Sequence, residues 1–470
     1  MPSPTKSIPE ALAELPQPIG LLGFGVEGRA TLRFLRGQGV AEVRVFDRAF
    51  GTPSPEDAAE FPDVRFCGEE DPLLTRCGTI FRSPGVRPDL PALRAASGAG
   101  ARLTSATALF LALRPCRVAG VTGTVGKGTT ASLIGEALSA AGIPYRLGGN
   151  IGLNPLEFLA ELTPGHVAVL ELSSFQLMDL DNHQPDVAVI LRTSSEHLDW
   201  HRDVAEYRAA KGRLLRPEGS EGNRQTVIYC ADSEGSRGIV TGREALKVSL
   251  EGPVANGIGE VEGQLLRFRG GKGERLPVLE ELALPGRFNR ENAAAAFLAT
   301  EALGGEPAKF LPAIAAFPGL PHRLEQVGRI GAILCYNDSY ATRPDATLAA
   351  LNSFDQPLAI ILGGSEKGAD FAPLAEGICR RRTLRAAVLM GATAERIGGE
   401  IVAAASRLGR PAPPVERAGS LEEAFRLARE ALPEGGVLLF SPACASFDMF
   451  SDYKVRGERF RALVENARQV

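Results

Sequence analysis

The sequence has few of the features that mark nucleic-acid-binding, membrane or disulfide-stabilised proteins. The 52 lysines and arginines do not outnumber the 56 aspartates and glutamates, and a formal net charge of -4 gives no basic footprint for nucleic acid. The seven cysteines are dispersed without a Cys-x-x-Cys pair, which predicts reduced thiols and neither a disulfide framework nor a zinc site. No apolar run approaches the roughly 18 residues of a membrane helix, and the first residues lack the basic-then-apolar order of a signal peptide. We therefore expect a soluble, cytoplasmic protein.

What the sequence does contain is an alternation of short apolar strands, glycine-rich turns and helices. This pattern is typical of parallel sheets with helices on their faces, and 470 residues are too many for one core. The expected strands lie at 19–23, 42–46, 79–82, 117–121, 167–172, 187–191, 332–335, 358–362, 386–389 and 437–440. We predict three consecutive α/β domains at 1–107, 108–318 and 319–470, with a strand-rich excursion at 216–286 and a helix at 291–303.

A glycine-rich loop at 123–130 follows one of these strands and precedes a helix expected at 129–141. Glycines let backbone N–H groups approach anionic oxygens, and the positive end of the following helix attracts the same charge. Gly123, Gly126 and Lys127 supply this arrangement. The strict phosphate-loop spacing is not met, because Val121 replaces its first glycine and Gly128 replaces the hydroxyl residue that binds magnesium. The loop predicts phosphate binding; a tight turn with a chance lysine is the alternative.

Several further segments carry motifs in a fixed order along the chain. They lie at 148–152 (Gly-Gly-Asn-Ile-Gly), 170–177 (Leu-Glu-Leu-Ser-Ser-Phe-Gln-Leu), 196–199, 207–211, 319–323, 337–339, 362–364 with Lys367, and 441–446. Together with the loop they resemble the muramyl (Mur) ligases of peptidoglycan synthesis, most closely the D-glutamate-adding branch. The resemblance implies an N-terminal Rossmann-like domain that binds the UDP substrate, a central P-loop ATPase-like domain with a mostly parallel sheet, and a C-terminal Rossmann-like domain for the amino acid.

The activity implied by the resemblance is ATP-dependent amide ligation. ATP would phosphorylate the carboxylate of UDP-N-acetylmuramoyl-L-alanine, and the amine of D-glutamate would attack the acyl phosphate. Catalysis of such a transfer is mainly positioning and charge neutralisation. The resemblance also implies a monomer that acts on small molecules in the cytoplasm, with no nucleic-acid or membrane partner.

The resemblance places the ATP and Mg²⁺ sites in the central domain, with two metal sites possible. Lys127 would neutralise the transferred phosphoryl group, Glu171 and His197 would bind metal, and Lys211 would be carbamylated to become a carboxylate-like ligand. Residues 196–199 are expected to close a strand. Thr129 or Thr130 would replace the hydroxyl missing at Gly128, or Glu171 and water would complete the metal shell. The implied ATP contacts are Gly123, Thr124, Gly126, Lys127, Gly128, Thr129, Thr130, Asn289, Asn292, Arg323 and Asp338.

The first domain carries Gly-x-Gly-x-x-Gly at 23–28, with Asp47 at the end of the next strand. By itself this is a weak dinucleotide fingerprint, and a tight strand–helix turn is the alternative. The resemblance makes it the site of the UDP substrate. The implied contacts are Gly25, Val26, Glu27, Asp47, Arg48, Ser83, Pro84, Gly85 and Asn150.

For D-glutamate, the resemblance implies Thr342 and Lys367 on the side-chain carboxylate, and Ser446 with the backbone near Tyr453 on the α-carboxylate. The chain departs from the family pattern nearby. Tyr340 stands where the family usually has lysine and Arg343 where it has asparagine, so the positive charge is expected to have moved by three residues.

Three alternatives remain open from the sequence. An NAD-dependent oxidoreductase built on residues 20–47 would leave the Lys127 loop unexplained. A related ligase for another amino acid is motivated by Tyr340 and Arg343. A nucleotide-binding protein with impaired catalysis is motivated by Gly128 and by Arg192, where the family usually has asparagine.

Overall fold

The computed structural model describes residues 7–48, 53–180, 183–198, 200–217, 224–365 and 368–468. The chain divides into two compact units, residues 1–281 with 291–315 and residues 282–290 with 316–470. The first unit contains two sheets and the second unit contains a third sheet. Across the described ranges, no helix has the length and apolar character needed to cross a membrane. The α/β class predicted from the sequence is confirmed.

The first sheet has five parallel strands in the order β3-β2-β1-β4-β5. The strands are β1 (Ile19–Leu22), β2 (Val43–Asp47), β3 (Arg65–Gly68), β4 (Thr79–Arg82) and β5 (Arg102–Thr104). The helices are α1 (Ile8–Ala13), α2 (Val26–Gly37), α3 (Pro55–Glu60), α4 (Pro91–Gly98) and α5 (Ala106–Leu113). The strand order reverses between β1 and β4, and open α/β sheets bind ligands at such a switch point. The loops after these two strands carry most of the predicted UDP-substrate contacts.

The second sheet has nine strands in the order β14-β13-β12-β11-β10-β9-β6-β8-β7, with antiparallel pairing only at β12–β13 and β13–β14 within the described sheet. The strands are β6 (Arg117–Thr122), β7 (Tyr145–Gly149), β8 (Val167–Glu171), β9 (Val187–Ile190), β10 (Thr226–Cys230), β11 (Leu246–Ser249), β12 (Gly257–Val261), β13 (Gln264–Arg269) and β14 (Lys272–Arg275). The helices that follow β6 and its neighbours are α6 (Lys127–Ala140), α7 (Pro155–Phe158), α8 (Ser174–Leu177), α9 (Val204–Gly212), α10 (Glu234–Val240), α11 (Arg287–Ala302) and α12 (Pro307–Ala316). The strand-rich excursion expected at 216–286 is confirmed by β10 to β14.

The third sheet has six strands in the order β15-β16-β20-β17-β18-β19, and β15 alone is antiparallel to its neighbour within the described sheet. The strands are β15 (Glu325–Ile330), β16 (Ile333–Asn337), β17 (Leu358–Leu362), β18 (Leu384–Met390), β19 (Val415–Ala418) and β20 (Gly436–Phe440). The helices are α13 (Pro344–Leu351), α14 (Ala372–Arg380), α15 (Ala394–Arg407), α16 (Leu421–Glu430) and α17 (Tyr453–Arg468). Successive residues of a strand point to opposite faces. Ile360 and Ile361 of β17 accordingly enter separate cores on the two sides of the sheet.

The cysteines contribute to these cores as thiols. All seven are buried and none forms a disulfide bond, as their dispersion in the sequence predicts. Burial raises the pKa of Cys77 and of Cys116 to about 11. Both thiols are therefore protonated at neutral pH and chemically inert.

Candidate active site

The predicted phosphate loop lies between β6 and α6, in the middle of the second sheet. Gly123 has φ of +151° and Gly126 has φ of +87°, conformations that residues with side chains rarely adopt. A Cβ added to Gly126 would lie 2.3 Å from Oδ1 of Asn292, so a side chain also lacks space there. Thr130 donates a hydrogen bond to the same oxygen at 3.2 Å. The structure thus brings the loop against Asn292 of α11.

Lys127 is the first residue of α6, and its ammonium donates to the carbonyl of Thr124 at 3.0 Å. Its charge adds to the positive end of the helix. The hydroxyl of Thr124 lies 2.9 Å from the hydroxyl of Tyr207 and accepts from the N–H of Ser194 at 3.0 Å. The N–H of Thr124 donates to the carbonyl of Arg192 at 2.9 Å. The loop is held by α9 and by the segment that follows β9.

Lys211 on α9 reaches the same loop from inside the protein. It is 1% exposed, and its ammonium donates to the carbonyl of Gly123 at 2.8 Å. The ammonium also lies 4.5 Å from the centroid of the Tyr207 ring. Burial, with the charge of nearby Lys127, lowers the pKa of Lys211 well below its ordinary value, while Glu171 and Glu196 oppose this shift. Two of the predicted catalytic lysines therefore converge on one loop.

Glu171 ends β8 and is 2% exposed. Its Oε1 accepts from the side-chain amide of Asn150 at 3.3 Å, whereas its buried Oε2 has no hydrogen-bond partner in the described structure. Asn150, predicted to contact the UDP substrate, therefore lies beside the predicted metal ligand. Within the described ranges, no group of three or more His, Cys, Asp and Glu residues is arranged to hold a metal ion.

His197 follows β9 after an irregular stretch. The expectation that 196–199 closes a strand is wrong, because β9 ends at Ile190 and the chain then continues without regular hydrogen bonding. His197 has φ of +56°, its Nε2 lies 3.7 Å from a carboxylate oxygen of Glu196, and its ring is 4.8 Å from that of Phe175. The side chain is 42% exposed. Asp199 lies outside the described residues.

His201 is a buried residue that sequence reasoning did not single out. Its Nε2 lies 2.8 Å from the hydroxyl of Ser174, and its ring stacks on Phe175 with centroids 5.5 Å apart. Burial lowers the pKa of His201, which keeps the ring neutral at pH 7. It joins the segment after β9 to α8.

Arg192 forms an ion pair with Glu291 of α11. Its Nε donates to Oε2 at 3.1 Å and its Nη2 donates to Oε1. The carboxylate is 5% exposed and the guanidinium side chain is 44% exposed. Because Glu291 precedes Asn292, this pair ties the segment after β9 to the helix that contacts the phosphate loop.

The glycine-rich turn after β1 meets the loops after β2 and β4. The N–H of Phe24 donates to Asp47 at 2.6 Å, and the hydroxyl of Ser83 donates to the carbonyl of Gly23 at 2.7 Å. Glu27 accepts from the amide of Gln176 at 3.4 Å, and burial raises its pKa to about 7. Gly25 and Val26 are exposed, whereas Arg48 donates to Glu69 at 3.2 Å. Most of the predicted UDP-substrate contacts therefore lie at one edge of the first sheet.

Arg82 fixes the loop that carries Ser83, Pro84 and Gly85. It is 1% exposed, donates to Asp179 at 3.1 Å through Nε, and donates to the carbonyl of Phe175 at 3.0 Å. Its Nη1 also donates to the carbonyl of Ser83 at 3.3 Å. Sequence reasoning missed this residue, since arginines are mostly exposed and its carboxylate partner lies 97 residues away.

In the second unit, Asp338 follows β16 and is buried. It accepts from the N–H of Leu324 at 3.0 Å and from the hydroxyl of Ser441 at 2.7 Å. Burial raises its pKa to about 7. Beside it, Cζ of Arg323 lies 3.8 Å from the centroid of the Tyr340 ring.

The predicted amino-acid contacts surround Tyr340 in part. The ring of Tyr453 meets the ring of Tyr340 edge-on at 5.0 Å, and the N–H of Thr342 donates to the carbonyl of Tyr340 at 2.8 Å. Ser446 is 2% exposed, and Lys367 lies outside the described residues. Asn289 donates to the carbonyl of Pro285 at 2.7 Å. Arg343 pairs with Asp345 at 3.1 Å, both half-exposed, so the predicted displaced charge has an adjacent carboxylate.

Two family models and several relatives match this chain. Residues 121–300 match the Mur ligase middle domain, and residues 322–444 match the Mur ligase, glutamate ligase domain. The UDP-N-acetylmuramoylalanine--D-glutamate ligase of Symbiobacterium thermophilum is 36% identical over 463 residues, covering 96% of this chain and 98% of the relative. The ligase of the same name from Nitrosococcus oceani is 36% identical over 451 residues, covering 94% of this chain and 95% of the relative.

Solved structures show the same fold at low identity. The MurF ligase of Thermotoga maritima in complex with ADP gives a TM-score of 0.57 at 16% identity, covering 97% of this chain and 96% of that chain. A pseudomurein peptide ligase type C from Methanothermus fervidus gives a TM-score of 0.56 at 17% identity, covering 95% of this chain and 99% of that chain. With its relatives matched over almost their whole length, the chain belongs to the Mur ligase family, among the UDP-N-acetylmuramoylalanine--D-glutamate ligases.

Proposed function

We propose that this protein is an ATP-dependent ligase that joins D-glutamate to UDP-N-acetylmuramoyl-L-alanine through an acyl phosphate. The observation that carries the proposal is the convergence of Lys127 and buried Lys211 on one glycine-rich loop. The Lys127 ammonium and the backbone N–H groups of the loop suit the transfer of a phosphoryl group, whose charge must be neutralised, and Lys211 reaches the same loop as a buried amine. The relatives at 36% identity supply the substrate names.

Amide formation requires a carboxyl group that carries a good leaving group. A carboxylate resists attack by an amine, and its conversion to a mixed anhydride with phosphate gives the amine a leaving group to displace. In this proposal Lys127 contacts the transferred phosphoryl group, with backbone contacts from 123–130 around it. Asn289 and Asn292 would hold adenine. Arg323 would bind the terminal phosphate together with Lys127, and Asp338 would bind the ribose. The catalytic work is positioning and charge neutralisation rather than covalent participation by the protein.

The residues present fit a magnesium ion. Oε2 of Glu171 is a buried carboxylate oxygen without a hydrogen-bond partner in the described structure, which is costly unless a cation or water occupies its lone pairs. Mg²⁺ prefers such oxygens and, when bound, would supply positive charge to the phosphates of ATP. We propose Glu171 as its ligand, with His197 beside a second ion and Thr129 as the hydroxyl ligand. Thr129 is favoured over Thr130 because Thr130 is 0% exposed, whereas Thr129 is partly exposed.

Carbamylation of Lys211 belongs to the same proposal. CO₂ combines with a neutral amine to give a carbamate and releases a proton, so the site must favour the uncharged lysine. The side chain is 1% exposed, and it contacts Gly123, Thr122 and the Tyr207 ring. Burial of an ammonium among such groups disfavours its charged form. A carbamate there would carry the negative charge that a metal ligand requires.

The substrates are assigned to the predicted domains. Residues 1–107 would bind the UDP substrate through Gly25, Val26, Glu27, Asp47, Arg48, Ser83, Pro84 and Gly85, with Asn150 from the central domain at 108–318. Residues 319–470 would bind D-glutamate through Thr342, Lys367, Ser446 and Tyr453. We further propose a monomer that acts in the cytoplasm, where ATP and nucleotide-linked precursors are available.

One assay tests the proposal. Purified protein receives ATP, Mg²⁺, UDP-N-acetylmuramoyl-L-alanine and one amino acid at a time, and phosphate release is measured. Release that depends on D-glutamate is expected. Release with a different amino acid would replace the substrate but keep the reaction, an outcome that the ring at Tyr340 motivates. No release above background with any amino acid would refute ligase activity.

A further inference from the structure

Tyr340 places an aromatic ring between predicted phosphate-binding and amino-acid-binding residues of the second unit. The guanidinium of Arg323 lies over one face of the ring at 3.8 Å, and Tyr453 meets the ring edge-on at 5.0 Å. The N–H of Tyr340 donates to the carbonyl of His322 at 2.9 Å, which fixes its backbone beside Arg323. The side chain of Tyr340 nevertheless stays 40% exposed. A core-packing role does not account for a ring in that position.

We propose that Tyr340 is a positioning residue that holds the guanidinium of Arg323 ready for the terminal phosphate of ATP. This inference rests on the proposed function in assigning Arg323 to the phosphate. A ring face attracts a guanidinium through its quadrupole, and the contact at 3.8 Å is close. Long side chains lose rotamer freedom when they bind, so an arginine held beforehand pays less of that entropy on binding.

Two substitutions of Tyr340 distinguish the effect of the ring face from that of apolar bulk. Phenylalanine keeps the ring face and loses only the hydroxyl, whereas leucine keeps apolar bulk and loses the quadrupole. Because Tyr340 is substantially exposed, either change removes little buried area, and thermal unfolding should stay close to wild type. An effect of Tyr340→Leu on nucleotide binding can then be separated from misfolding.

The decisive measurement is calorimetric binding of a non-hydrolysable ATP analogue and of ADP to the full chain with Mg²⁺. The ratio of the affinity for the ATP analogue to the affinity for ADP should fall about fivefold in Tyr340→Leu. In Tyr340→Phe this ratio should stay within about twofold of the wild-type value. Arg323→Ala should lose at least as much, and adding Tyr340→Leu to it should change nothing further. Wild-type preference in Tyr340→Leu, or an equal loss when it is added to Arg323→Ala, would overturn the proposal.

Turnover gives a second readout. Tyr340→Leu should raise KM for ATP while leaving KM for the UDP substrate unchanged, because the ring is proposed to hold Arg323 and not a residue that binds the UDP substrate. An equal rise in both KM values would contradict a positioning role. If wild-type protein releases no phosphate with D-glutamate, the proposed function fails, whereas the comparison of nucleotides still decides the role of Tyr340.

Discussion

Gly126 is a position of the phosphate loop where both the backbone conformation and the neighbouring Asn292 exclude a side chain. Gly126→Ala should destabilise the protein by two separable effects. Its φ of +87° imposes strain of roughly 1–2 kcal/mol on any residue with a Cβ. The new Cβ would lie 2.3 Å from Oδ1 of Asn292 and displace the acceptor of the Thr130 hydrogen bond, a further loss of about 1 kcal/mol. The expected total is about 2–3 kcal/mol.

The other end of the same helix offers a matched control. Gly142 also has positive φ, +75°, but a Cβ there would meet no atom within 4 Å. Gly142→Ala should therefore show the backbone strain of roughly 1–2 kcal/mol alone. Because misplacement of a reacting group by about 1 Å can cost on the order of 100-fold in rate, Gly126→Ala should lose about that much kcat/KM for ATP. Gly142→Ala should keep wild-type kinetics.

Urea denaturation and steady-state kinetics measure the two quantities. A third variant checks the cause, since Asn292→Ala removes the oxygen that the new Cβ would strike. When the substitutions Gly126→Ala and Asn292→Ala are combined, the loss of stability should be about 1 kcal/mol smaller than the sum of the two single losses. Equal stability losses and equal kinetics for Gly126→Ala and Gly142→Ala would refute the reasoning.

Three further predictions concern the same loop. Lys211→Ala should lose most activity and regain part of it with an added short-chain carboxylate, measured as phosphate release; unchanged activity without rescue would exclude the carbamate role. Arg192→Gln and Glu291→Gln should each raise KM for ATP, and a double-mutant cycle should show coupling of about 1 kcal/mol, since the carboxylate is buried and the guanidinium half-exposed; additive effects would show that the pair does not position α11. Thr129→Val should raise the Mg²⁺ concentration needed for half-maximal activity more than Thr130→Val does, and the reverse order would assign the metal hydroxyl to Thr130.

Much of the fold could be predicted because strands buried on both faces are continuous apolar runs. The segments at 187–191 and 358–362 are such runs, and β9 and β17 occupy them almost residue for residue. Helix starts were less accurate. α11 begins at Arg287, four residues before the expected 291, because its first turn is polar and carries no apolar periodicity. The expectation that residues 196–199 close a strand was wrong, because β9 ends at Ile190 and a motif placed there by resemblance carries no β pattern of its own.

The site residues also fall into two groups, those with a local signal in the sequence and those without one. The position of Lys127 at the start of α6 could be predicted because it depends on a local spacing. Tyr207 and Lys211 lie four residues apart, a separation that brings side chains together on one face of α9. Arg82 and His201 had no such signal, because each is defined by partners distant in sequence: Asp179 in one case and Ser174 in the other. Desolvation is also invisible in the sequence, yet it lowers the pKa of Lys211. The family resemblance alone makes Lys211 a candidate for carbamylation in the sequence, and the contacts that bury it supply the physical reason. Burial likewise separates the two threonines that could replace the hydroxyl missing at Gly128, because Thr130 is 0% exposed and Thr129 is partly exposed, a difference that the motif does not show.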